Sequence, residues 1–178
     1  MSHDGTIGLV DGTRLNLLDP DSHIITISGI ADGISKLCRF GGQCEDFYSV
    51  AEHCVHVSYA YDNPEEALAG LLHDGSEAFM QDLVSPLKVL LPEYVEIETN
   101  LQHIIFRKYH LDISLLDKIH NEADRYAAYV EGAALTRQKW AKEVDVPEQY
   151  SFIPLCWSWK IARDKYLQRF YQLQKDRS

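Results

Sequence analysis

Residues 71–83 read LLHDGSEAFMQDL, which sets His73, Asp74, Glu77 and Asp82 within ten positions among leucines, a phenylalanine and a methionine. Imidazole and carboxylate are ligands for a borderline divalent cation, and carboxyl groups are also proton carriers. Read as helix, the stretch makes Glu77 a neighbour of both His73 and Asp74, at four- and three-residue spacing. His73 and Asp74 splay by about 100° and share one ion only in a groove towards which both lean. Two ligands are too few, so other segments must supply the rest. SVAEHCVHV offers His53 and His56, and NEADRYAAYVEG offers Asp124 with Glu122 nearby.

Each residue also has a plainer reading. A His-Asp pair commonly marks a helix end with a solvated face, and a single histidine such as His53 is ordinarily a core or surface residue. Asp124, among Ala123, Tyr126, Ala127 and Ala128, is either on a wet face or buried with a partner. Cys38, Cys44, Cys54 and Cys156 form no CxxC pair and fit no zinc-finger spacing, which favours free thiols. Residue types and spacing alone leave the metal reading open.

The elements that must position these groups are mainly helical. Residues 6–29 are strand-like or irregular: TIGLV and HIITI are β-branched, with Asp11-Gly12 and Asp19-Pro20-Asp21 as turns, which predicts a hairpin or extended arm. A short helix is expected over 30–39, closed by Gly41-Gly42. Ser49 and Glu52 have capping-box spacing for the next helix, which Asn63-Pro64 breaks. Pro64 opens PEEALAGLLHDGSEAFM, with Gly75 ending or kinking it. Further helices are expected at about 93–109, 113–138 and 158–175, from apolar residues at three- and four-residue spacing.

At 178 residues, 46% hydrophobic and 25% charged, the chain fits one soluble domain of 1–178, with a core at 30–138, an N-terminal arm at 1–29 and a C-terminal helix at 158–176. A net charge of −10 argues against a nucleic acid polymer or an anionic membrane as partner. No apolar run approaches the roughly 20 residues that span a bilayer. MSHDGTIGLVDG lacks the pattern of a secretory signal, so a cytoplasmic setting is expected.

The order of motifs then narrows the choice. A histidine in SVAEH, LLHD twenty residues on and a distant aspartate resemble the HD-domain metal-dependent phosphohydrolases, close to the branch of 5′-deoxynucleotidases and phage deoxynucleoside triphosphate phosphohydrolases. The resemblance is carried by CRFGGQ, FYSVAEH, LLHDGSEAFMQDLVSPLK and EADRYAAY, over roughly residues 30–130. It implies an all-α helical bundle in which His53, His73, Asp74 and Asp124 hold one divalent ion, whether Zn, Mn, Co, Fe or Ni. Glu77 and Asp82 match the two acidic catalytic positions. Lys88 and Arg39 match phosphate-holding positions, and Pro86 and Phe40 lie near the nucleoside. The family commonly forms homodimers or larger homo-oligomers.

The chain departs from the branch at Gln43, where histidine is expected, and at Glu45-Asp46, where basic residues are expected. If those positions face the substrate, the pocket is less positive than in its relatives. His56, one turn after His53, is a candidate to support a metal ligand or to be structural, and His23, His103, His110 and His120 read as ordinary. The implied function is hydrolysis of a small nucleotide by water activated on the metal. The products are deoxynucleoside plus phosphate from a dNMP, or deoxynucleoside plus triphosphate from a dNTP such as dATP. The absence of a GYP motif argues against cyclic-dinucleotide hydrolysis, and Gly75-Ser76 stand where an alarmone hydrolase carries acids. A catalytically weak nucleotide-binding or regulatory HD protein is the alternative, and a structural metal module is a third.

Overall fold

Apolar residues three and four apart, punctuated by caps and prolines, wind most of the chain into helix in the computed structural model, which describes residues 4–177. An antiparallel hairpin of β1 (Thr6–Gly8) and β2 (Arg14–Asn16) comes first, with Ile7 opposite Leu15. The helices are α1 (Ile27–Ile34), α2 (Val50–Tyr59), α3 (Pro64–Leu72), α4 (Glu77–Met80), α5 (Ser85–Lys88), α6 (Pro92–Lys108), α7 (Leu115–Ile119), α8 (Arg125–Leu135) and α9 (Trp159–Asp176). Leu68, Leu71, Leu72, Leu101, Ile105, Phe106 and Tyr166 are fully buried together, so α3, α6 and α9 frame the core. The C-terminal helix α9 packs on the body, against α1, α2 and α3. No helix among the described residues is long and apolar enough to cross a membrane.

Local chemistry corrects several expectations. HIITI forms no strand: the Thr26 side chain accepts the Gly29 N–H and caps α1, while Ile25 is fully buried, so capping and burial override β-propensity. The helix expected over 30–39 stops at Ile34. Cys38 bridges to Ser49, and Arg39–Gly42 is a separate 3₁₀ turn in which Phe40, Gly41 and Gly42 have φ of 58°, 59° and 75°. The glycine pair therefore serves that left-handed turn instead of closing α1.

Ser49 does cap α2, accepting the Glu52 N–H at 3.1 Å. The reciprocal half of the capping box is missing, because the Glu52 carboxylate is turned to the 155–157 connector. Asn63 caps α3 through the N–H groups of Glu65 and Glu66, with Pro64 in the first turn. Helix α3 ends at Leu72, and the Gly75 N–H donates to the Leu72 carbonyl at 2.9 Å. His73–Ser76 is thus a turn, and Glu77 opens α4 instead of continuing the helix of His73. The helix expected over 113–138 is interrupted by one turn of π-helix, His120–Asp124.

Candidate metal centre

Four side chains converge from three places: His53 from the middle of α2, His73 and Asp74 from the turn after α3, and Asp124 from the π turn before α8. His53 Nε2 lies 3.3 Å from His73 Nε2, 3.2 Å from Asp124 Oδ1 and 3.6 Å from Asp74 Oδ2. His73 Nε2 lies 3.2 Å from Asp74 Oδ2 and 3.7 Å from Asp124 Oδ1. A tetrahedron with ligands at about 2.1 Å from its centre has edges of about 3.4 Å. These separations bracket that value, so the four residues are close enough to hold a metal ion.

The neighbours fix the ligands in the right state. His73 Nδ1 donates to the Gly70 carbonyl at 2.8 Å, which leaves Nε2 as the lone-pair atom facing the cluster. His53 Nδ1 donates to Glu131 Oε1 at 2.7 Å. Glu131 is fully buried, and also accepts from Tyr48 Oη at 3.0 Å and Arg39 Nε at 2.9 Å. With the rings neutral, two imidazole lone pairs and two carboxylates thus meet, a set suited to a cation. Burial opposes charge on both rings, and carboxylates outweigh it: Glu131 and Asp124 raise His53, while Asp74 and Asp124 raise His73 well above the ordinary range. Burial also opposes charge on Asp74 and Asp124, but the two histidines hold both carboxyls below the usual range. Cys54 is also within reach of His73 and Asp74, and burial pushes its thiol up to about 11.

Asp74 and Asp124 lie in the wall of a cavity of about 550 Å³. The same wall holds Arg39, Phe40, Glu77, Asp82, Pro86 and Lys88, beside the four-residue cluster. Glu77 is buried; its Oε1 accepts from Lys88 Nζ at 3.3 Å, and its Oε2 has no hydrogen-bond partner among the described residues. Burial, then Asp74 and Asp82, raise the Glu77 carboxyl well above its usual range. Burial also raises Asp82, with Arg39 opposing and Asp74 assisting. Arg39 commits Nε to Glu131 and brings Nη1 to 3.7 Å from Asp74 Oδ2. Lys88 is held by Glu98 at 2.8 Å as well as by Glu77.

Some assignments change. His56 faces away from the cluster, stacked on Phe152 with ring centroids 4.3 Å apart, because the connector's aromatics cover that face of α2. His120, read as ordinary, stands 5.7 Å from the His73 ring and lines the cavity. His103 joins it in a second cavity of about 260 Å³ that shares Asp74, Glu77 and Lys88. Gln43 and Glu45-Asp46 are exposed and outside the wall, and Glu45 pairs with Arg137, so the unusual residues there leave the pocket's charge unchanged.

Glu131 and Glu98 are the principal omissions of the sequence reading. Glu131 follows Asp124 by seven residues, two turns along one helical face, which is the signal that could have found it. Glu98 carries no such mark, since its partner Lys88 lies on another helix.

No protein-family model matches the chain. It is 44% identical over 88 residues to an uncharacterized protein, YfdR, of Escherichia coli K12, covering 49% of this chain and 48% of that protein. It is 37% identical over 112 residues to an uncharacterized protein, RCAP_rcc00048, of Rhodobacter capsulatus, covering 58% of this chain and 57% of the relative. The chain therefore spans about half the length of the curated relatives it matches.

Proposed function

We propose that this chain is an HD-type, metal-dependent phosphohydrolase of small nucleotides, acting on a dNMP or a dNTP. The observation that carries the reading is the convergence of His53, His73, Asp74 and Asp124 beside a cavity that also presents two acids, Glu77 and Asp82, and two cations, Arg39 and Lys88. When bound, a divalent ion supplies Lewis acidity to a phosphoryl oxygen and lowers the pKa of water towards about 7. His₂Asp₂ suits Zn, Mn, Co, Fe or Ni.

The chain's own groups do the rest. Arg39, anchored through Nε, turns its remaining nitrogens to the phosphate next to Asp74. Lys88 adds a point charge whose position Glu98 fixes. Glu77 and Asp82 divide the proton work: one orients the attacking water and accepts its proton, and the other holds the proton that the departing 5′-oxygen requires, a role favoured by the burial that raises both carboxyls, Glu77 more than Asp82. The exposed Val89 and Leu90, beyond the cavity wall on the α5–α6 link, supply apolar surface for a homo-oligomer in a cytoplasmic setting.

The test is a turnover panel with stripped protein reloaded with Mn, Co or Zn, each dNMP and dNTP as substrate, and products resolved by ion exchange. Phosphate from monophosphates, or triphosphate from a dNTP, is expected, with Glu77→Gln and Asp82→Asn each losing about 10²-fold or more while retaining the ion. Folded, metal-loaded protein that turns over none of them overturns the hydrolase reading in favour of a nucleotide-binding role.

A further inference from the structure

The cavity has a second end. Along α8, Asp124, Arg125, Ala128 and Tyr129 all line it. At the helical rise, Tyr129 stands about 7.5 Å along the axis from Asp124, the reach of a sugar and its 5′ carbon. There Tyr129 meets Trp140 edge to face, with ring centroids 5.7 Å apart. Trp140 comes from a 3₁₀ turn, Lys139–Glu143, and its ring tip rests on Gly132, where an added Cβ would fall 2.8 Å from Cη2. The indole is seated on helix backbone yet remains 45% exposed. An aromatic ring fixed on one side and open on the other is a stacking surface for another flat ring.

We infer that Trp140 and Tyr129 form a base-reading wall, so that the cavity selects phosphates carrying an aromatic base over base-less sugar phosphates. The inference rests on the phosphohydrolase reading for the phosphate's place beside Arg39 and Lys88. It adds two specificity residues to which the sequence reading gives no role.

The chain has three tryptophans, and Trp157 and Trp159 lie outside the cavity wall, so the W157F/W159F chain reports on Trp140 alone. Zinc-loaded W157F/W159F protein is titrated with deoxyadenosine and, separately, with deoxyribose 5-phosphate. Saturable quenching by the nucleoside and none by the sugar phosphate is expected. Equilibrium dialysis should show Trp140→Ala weakening nucleoside binding about tenfold or more, the scale on which base stacking acts. Gly132→Ala, which pushes the ring from its seat without deleting it, should weaken binding in the same direction. Equal quenching by both probes, or unchanged nucleoside binding in Trp140→Ala, overturns the inference.

The two readings fail separately. Base-selective binding without turnover of any nucleotide removes the hydrolase and leaves the wall. Nucleotide turnover with an unchanged KM in Trp140→Ala removes the wall and leaves the hydrolase.

Discussion

At the scale of single residues, Glu131 controls more than any group the motif names. Its carboxylate orients His53, receives Tyr48 and anchors Arg39, so one side chain ties a candidate metal ligand to the proposed phosphate contact. Glu131→Gln keeps the volume but loses the charge that fixes the His53 tautomer. It should lower metal affinity by about 10- to 100-fold, as measured by competition with a chromophoric chelator. Affinity within about twofold of the parent would remove Glu131 from the metal centre. His73, Asp74, Glu77 and Asp82 were legible because they fall in one short stretch, and His53 and Asp124 because the motif order resembles a family. Glu131 and Glu98 were not, because Glu131 acts on His53 and Arg39 from 78 and 92 residues away and Glu98 holds Lys88 from a different helix, so residue type marks neither.

At the scale of elements, the site depends on interruptions that helical periodicity does not reveal. Apolar spacing gave α6 and α9 almost to their ends, since both are long and half-buried. It could not show the π turn at 120–124, because apolar spacing continues across it, whereas Gly75 signalled the break between α3 and α4. The π turn adds a residue to one helical turn and brings His120 and Asp124 to the cavity. Helix α4, which starts with Glu77, is held by α1 at Gly33, where an added Cβ would lie 2.5 Å from the Ala78 carbonyl oxygen. Gly33→Ala must therefore push the two helices apart. It should cost about 1–3 kcal/mol, or roughly 2–12 °C in Tm for a chain of this size, as read by circular dichroism. It should also reduce activity by moving Glu77. An unchanged Tm would show that α4 is free to slide.

At the scale of the whole molecule, the charge of the site makes stability depend on pH in a way that metal reverses. His53 and His73 have raised values in the folded chain, so their contribution is complete below the ordinary imidazole value and is lost as pH rises through the folded values. The raised Glu77 and Asp82 carboxyls act in the same direction, costing stability once pH exceeds the ordinary carboxyl range. The depressed Asp74 and Asp124 oppose this only at acid pH, where they lose their contribution as pH falls. The metal-free chain should therefore lose Tm as pH rises above the ordinary carboxyl range and on past the ordinary imidazole value. Metal binding strengthens as the rings deprotonate, so the Tm gap between zinc-loaded and EDTA-treated protein should widen over the same range. A gap independent of pH would mean that these histidines are not ligands.

Glu52 adds a consequence in time. Its carboxylate, one residue before His53, is fully buried and receives the N–H groups of Leu155 and Trp157 at 2.7 and 2.6 Å. The helix that carries the first metal ligand is thus fastened by residues more than a hundred positions later. During synthesis, His53, His73, Asp74 and Asp124 all leave the ribosome before that fastening exists. The nascent chain therefore carries all four residues before the finished cage, and released chains ending before residue 155 should give up zinc faster than chains that include α9.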